Sequence, residues 1–234
     1  MSDQLKSIAF TVAIALVCSL LLTGAATGLK DRKLRNVAVD RQKNILKSVG
    51  LLDYDRQATV AQIERLYQDK IRCYAMDGTG RIVGGDSDAI PVCFYVKDAQ
   101  PAAYILPVVS RGLWGKIRGY VAIEKDGKTV AGFSVYSHNE TPGLGGEIEK
   151  PWFQENFVGK RIVDEAGDFA AVGIAKGKVA DAIAADRQAN YVDGISGATL
   201  TGKFLTGGLK EILLDYEPLS EQFRAGPVSL PAGS

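Results

Sequence analysis

The 234-residue sequence predicts an α+β domain carried behind one N-terminal apolar helix. Three observations lead there. The run Ser7–Leu29 contains no charged residue. Short segments rich in β-branched and aromatic residues succeed one another from residue 91 to residue 138. Helical spacing of apolar residues then returns near Leu200.

Taken in order, residues 1–6 form a short tail, and Ser7–Leu29 would make about 33 Å of helix, enough for a hydrocarbon core of about 30 Å. A cleaved signal peptide is the alternative, with Gly24-Ala25-Ala26 as its small-residue site. The apolar stretch is long and runs past that site, which favours a retained anchor spanning 7–29. Lys30, Arg32, Lys33 and Arg35 follow it, against Asp31 alone, and the positive-inside rule by itself would put the large domain in the cytoplasm. Residues 30–58 are expected to hold a juxtamembrane helix and a linker. Val37, Val39, Ile45, Leu46 and Val49 give an amphipathic helix over 36–52, stopped by Gly50. A second helix is expected over 59–71, with Val60, Ile63, Leu66 and Ile71 on its buried side.

The period then shortens. PVCFYVKD, AAYILPVV, GYVAIEKD and TVAGFSVYSH read as strands of an antiparallel meander, and Asp126-Gly127 as the hairpin turn between the last two. KPWFQENFVGK is helix-like and AAVGIAKG strand-like. Leu205, Leu209, Ile212, Leu213 and Tyr216 line one face of a closing helix. The main domain is therefore placed at 59–222, with a loose tail over 223–234. There are no internal repeats.

Composition narrows the function. Lys and Arg total 28 against 27 Asp and Glu, a formal +1, which argues against a nucleic-acid binder. The 26 glycines allow backbone to approach a ligand closely. Three cysteines and one histidine show no metal-ligand spacing, so no metal site is expected. Cys18 lies in the apolar run. Cys73 and Cys93 are either small core residues or, outside the cytoplasm, a disulfide pair.

Three motifs could carry chemistry. Asp193-Gly194-Ile195-Ser196-Gly197-Ala198-Thr199-Leu200-Thr201 sets hydroxyls on a small-residue turn directly before a helix. A phosphate there would meet the free N–H groups of a helix start. The plainer alternative is an ordinary N-cap. A nucleophile elbow fails because Ala198 replaces the last glycine and His138 is the single imidazole available. A P-loop fails because Phe204 follows Lys203 where Ser or Thr is needed. His138-Asn139-Glu140-Thr141-Pro142-Gly143-Leu144-Gly145-Gly146 ends a strand in a rigid turn and bare backbone, suited to lying against a flat ring. It lacks the third glycine of a dinucleotide fingerprint. Arg111-Gly112-Leu113-Trp114-Gly115 offers an apolar aromatic pair that could cap a ring, or simply pack.

The ordered set LPVVSRGLWGKIRGYVAIEKD, HNETPGLG and DGISGATLT, behind an anchor followed by DRQKNILKSVGL, resembles the C subunit of the Na⁺-translocating NADH:quinone reductase and its FMN-binding domain. The resemblance runs from the apolar helix to about residue 216. It implies FMN linked by a phosphoester to Thr199, with ring contacts from Leu113, Trp114, Glu140, Thr141, Leu144 and Gly145. It also implies a turn shaped by Ser196, Gly197 and Ala198, and Asp193 orienting that turn or binding a transferase's metal. No side chain need act as an acid or base. The implied partners are the other subunits of a membrane redox complex, a sister subunit with its own FMN, and a flavin transferase that uses FAD and magnesium. The implied location is the bacterial cytoplasmic (inner) membrane, single-pass, with the domain extracytoplasmic, against the charge bias; long domains translocate largely regardless of flanking charge. Such a chain is a redox subunit and not a complete enzyme. The G subunit of the Rnf electron-transport complex shares SGAT and ETPGLG, while GLWG and DRQKNIL favour the quinone reductase. Rivals of other classes are an anchored hydrolase using Ser196 or Thr199, and a noncatalytic binding module.

Overall fold

A computed structural model describes residues 3–55, 58–83 and 89–231. Residues 1–2 and 232–234 of the expected tails, and 56–57 of the expected linker, lie outside the described residues. The chain divides into two compact units, 1–40 and 41–234.

In the first unit, helix α1 runs Asp3–Gly28 with no buried residue. It is the one helix among the described residues long and apolar enough to cross a membrane. Helix α2, Lys30–Ser48, has residues in both units and begins earlier than the apolar spacing suggested. Its end is as expected: Gly50 adopts φ +69°. The Gly50 N–H bonds Lys47 O at 3.0 Å and the Leu51 N–H bonds Leu46 O at 2.9 Å. This pair of bonds closes the helix as a Schellman motif.

In the second unit, helix α3 (Val60–Lys70) starts at a capping box in which Thr59 and Gln62 exchange hydrogen bonds. Ile63 and Ile71 are buried as expected, but Val60 is exposed, since it sits in the first turn above the packed face. Six antiparallel strands follow: β1 (Ile71–Met76), β2 (Ile82–Val83), β3 (Ile90–Lys97), β4 (Gln100–Arg111), β5 (Lys116–Glu124) and β6 (Val130–Ser137), in the order β2-β1-β3-β4-β5-β6. The expected meander is β3 to β6. Strand β1 goes beyond it: IRCYAM directly continues α3, so its short apolar content was absorbed into the helix pattern. Cys73 and Cys93 lie opposite each other on β1 and β3 and form a disulfide. Asp98 and Ala99 take φ +52° and +61° in a two-residue hairpin loop between β3 and β4. Gly127 turns the hairpin between β5 and β6 at φ +65°.

The segment expected to be helical over 150–160 shortens to α4 (Pro151–Gln154) and a following 3₁₀ turn. The strand-like AAVGIAKG yields only β7 (Gly173–Ile174), paired in parallel with β8 (Tyr191–Val192). Between them lies the one-turn helix α5 (Val179–Ala182). Helix α6 (Thr199–Asp215) covers the sheet with Leu205, Leu209 and Leu213. It approaches β4 closely, because a Cβ on Gly208 would stand 2.3 Å from Ser110 Oγ.

The domain does not end at 222. Helix α7 (Glu217–Ala225) buries Leu219 and Phe223. Phe223 stacks on Tyr104 at 4.8 Å between ring centroids, and the Tyr104 hydroxyl donates to Ser220 Oγ at 2.7 Å. The tail expected to be loose from 223 is therefore packed at its start. Glu217 and Pro218 begin a new helix directly after Tyr216, a fresh start that the spacing of α6 does not reveal. Phe223→Ala should lower the unfolding free energy by about 3 kcal/mol. Urea denaturation of the detergent-solubilised chain measures it; a loss under ~1 kcal/mol would mean that α7 does not belong to the core.

Candidate functional site

The three motifs converge. A cleft of about 200 Å³ is lined by Leu113, Trp114, Glu140, Thr141, Leu144, Gly145, Gly197, Ala198, Thr199, Leu200 and Thr201. All six residues expected to touch a ring are among them, as are two of the three turn residues and Thr199.

Each wall has a local cause. The turn between β4 and β5 closes when the Gly112 N–H donates to Gly115 O at 2.6 Å, which lifts Leu113 and Trp114 outward. Trp114 is 67% exposed. Beyond β6, Thr141 O accepts from the Leu144 and Gly146 N–H groups at 3.1 and 2.9 Å, with Gly143 at φ +73°. This throws Leu144 out over Gly197, also at φ +73°, where a Cβ would sit 2.7 Å from the Leu144 side chain. Exposed Leu113, Trp114, Leu144 and Leu200 thus surround the cleft, an apolar rim suited to a planar aromatic guest.

Glu140 ties the walls together. It is 5% exposed. One carboxyl oxygen accepts from the Trp114 N–H at 3.1 Å and the other from the Thr201 hydroxyl at 2.5 Å. Its own N–H donates to His138 Nδ1 at 3.1 Å. Gly145 serves this bond as much as the cleft, since a Cβ there would lie 2.6 Å from Thr201 Oγ1 and 2.8 Å from a Glu140 oxygen. To the expectation of a glycine kept bare for a ring, the structure adds a hydrogen bond that a side chain there would crowd. His138 Nε2 lies 3.2 Å from Glu149, so both ring nitrogens are engaged away from Ser196 and Thr199. That removes the base an anchored hydrolase would need.

Thr199 opens α6, and its helix N-cap, Ala198, makes no side-chain hydrogen bond. Thr199 is exposed; Thr201 is 2% exposed, its hydroxyl given to Glu140. Two hydroxyls alike in sequence are thus distinguished by packing. Ser196 is exposed but is not part of the cleft wall. Asp193 is also outside it. Its carboxylate accepts from Lys178 Nζ at 2.7 Å and from the Val179 N–H at 2.8 Å. The Lys178 bond, reinforced by that N–H, holds its pKa below the usual carboxylate value. Asp193 thereby ties the end of β8 to the segment at Lys178 and Val179.

Residues 112–214 match the FMN-binding domain family. The chain is 36% identical over 227 residues to the C subunit of the Na(+)-translocating NADH-quinone reductase of Yersinia pestis, covering 84% of this chain and 83% of that protein. The C subunit of the same reductase from Neisseria meningitidis serogroup A is 33% identical, covering 84% of each. The crystal structure of the C subunit from Parabacteroides distasonis superposes with a TM-score of 0.71 at 30% identity, over 82% of this chain and 96% of that one.

Glu140→Gln would set an amide N–H against one of the two donors. The loss of that bond should cost about 1.5–3 kcal/mol of stability and shift Trp114 fluorescence. Thr201→Val should be non-additive with it, because the Thr201 hydroxyl can turn to accept from the Gln amide and the two side chains share one hydrogen bond. Additive losses in chemical denaturation would show that the two residues act separately.

Proposed function

Because the chain belongs to the family of Na(+)-translocating NADH-quinone reductase C subunits, we propose that it is a membrane-anchored electron carrier of such a complex, with FMN joined by a phosphoester to Thr199. The observation that carries this reading is that Thr199, exposed and at the first position of helix α6, stands on the wall of the cleft that the GLWG and ETPGLG turns build.

The residues present fit the group. An apolar rim matches an aromatic ring system, and a helix start with no side-chain cap matches a phosphate. FMN, when bound, supplies the electron-transfer chemistry at its ring. The chain's part is to hold and tune. Leu113, Trp114 and Leu144 shield the ring from water. Thr141 and Gly145 offer backbone polar groups at its edge. Glu140 holds the walls together rather than reacting, its carboxyl oxygens being already bonded. Gly197 and Ala198 present Thr199 to an incoming flavin transferase. The complex would also contain a sister FMN subunit.

Helix α1 would anchor the chain as a single pass in the inner membrane. The Cys73–Cys93 disulfide supports an extracytoplasmic domain, since such bonds persist in oxidising compartments. The Lys30–Arg35 cluster argues the other way and is outweighed on this reading.

Coexpression with a flavin transferase should give a band that fluoresces under ultraviolet light after denaturing electrophoresis, its mass raised by one FMN less one water. Thr199→Ala should abolish both signals. Thr199→Ser should retain some, and Thr201→Ala should keep the covalent band while weakening the site. Full loading of Thr199→Ala would overturn the assignment. For orientation, a cysteine replacing Gly78, whose Cβ position is open, should react in whole cells with an impermeant thiol reagent. Labelling only after lysis would restore the cytoplasmic placement.

A further inference from the structure

A second cleft lies beyond Thr199. It has a volume of about 290 Å³, and Ala198 and Thr199 belong to its wall as well as to the ring cleft's. The two differ in chemistry. The ring cleft has no lysine or arginine in its wall. The second has Lys176 and Lys203 and no acidic side chain. Neither lysine is in an ion pair among the described residues.

The lysines reach this cleft from two elements that are locked together. Lys203 is four residues after Thr199 on α6, hence on the same helix face, and helical side chains lean toward the N-terminus. Its side chain thus leans toward the turn that carries Thr199 and belongs to the same cleft wall. Lys176 follows β7. That strand is pinned to α6 because the Ile174 N–H donates to Thr206 Oγ1 at 2.9 Å while the Thr206 hydroxyl donates to Gly202 O at 2.8 Å. Gly202 allows the approach, since a Cβ there would stand 3.2 Å from the Ile174 side chain.

We propose that this cleft is a phosphate subsite, in which Lys176 and Lys203 bind the anionic phosphoryl oxygens of the flavin nucleotide while its ring occupies the apolar cleft across Thr199. The proposal rests on the functional reading above and adds to it the residues that recognise the phosphate. On that placement the diester at Thr199, formed when the transferase moves FMN from FAD and releases AMP, would lie beside both ammonium groups. The two ammonium groups offset the charge that the diester keeps afterwards.

The test separates phosphate from ring by comparing two ligands. The full-length chain carrying Thr199→Ala, in detergent, binds flavin only noncovalently. FMN and riboflavin are titrated against it by quenching of flavin fluorescence. FMN should bind about tenfold more tightly than riboflavin, a preference that weakens with salt. Lys203→Met and Lys176→Met should each cut FMN affinity by about threefold to fivefold, a range set by their exposure. Together they should erase the preference while riboflavin affinity stays unchanged, which also reports that the domain is folded. Lys203→Arg should keep it. A preference that survives in the double variant, or equal binding of both flavins by the parent, overturns the subsite and leaves the ring cleft intact. Failure of both flavins to bind removes the ring reading and this one with it.

Discussion

The two hydrogen bonds received by the Glu140 carboxyl group hold this site together. Its donors, Trp114 N–H and Thr201 Oγ1, are 26 and 61 residues away in sequence. The group is buried, so a missing bond would leave a polar atom without water to replace its partner, at a cost of about 1–3 kcal/mol. That penalty couples the turn after β4, the loop after β6 and the first turn of α6. Glycine is required where it touches this bond: a Cβ on Gly112 would lie 2.5 Å from one carboxyl oxygen, and one on Gly145 would lie 2.8 Å from the other. The bareness of both turns, which suits a flat guest, is first a consequence of enclosing the carboxyl group.

Helix α6 is the platform on which this arrangement stands. Its apolar face, with Leu205, Leu209 and Leu213, sits on the sheet, and Gly208 and Gly202 let it come close to β4 and β7. A helix seated on both sides has little freedom to slide, so its first turn is held at a fixed place between two clefts. Thr199 and Thr201 differ by two positions, which on a helix is more than half a turn. One hydroxyl therefore faces outward to solvent and the other inward to Glu140. Which of the two threonines is exposed follows from helical geometry and not from any intrinsic difference between them.

The basic cluster after α1 and the cross-strand disulfide point to opposite sides of a membrane. They act at different stages. Flanking charge biases insertion and loses its hold when a long domain follows. A disulfide reflects the compartment in which the folded strands persist. The second constraint applies to the finished domain, and the proposed extracytoplasmic placement rests on it.

Much was legible in the residues themselves. The meander followed from runs of β-branched and aromatic side chains broken by turn residues, because strand period and turn chemistry are local properties. The end of α2 was readable at Gly50, a position needing positive φ. The cleft residues were legible as motifs, since GLWG, ETPGLG and SGAT each carry turn chemistry in a few adjacent positions. Strand β1 was not, because six residues merging into a helix show no boundary. Helix α7 was not, because its burial depends on Tyr104, more than a hundred residues earlier. Glu140's bonds, the separation of Thr199 from Thr201 and the meeting of Lys176 with Lys203 were also out of reach. Each depends on which distant groups share a few ångströms and exclude water, and no local pattern encodes that. The residues alone specify the long apolar helix, the alternating strands and the chemistry of three turns. Only tertiary packing decided which hydroxyl is free, which carboxyl is buried and which charges face one cleft, because burial and desolvation belong to the assembled chain.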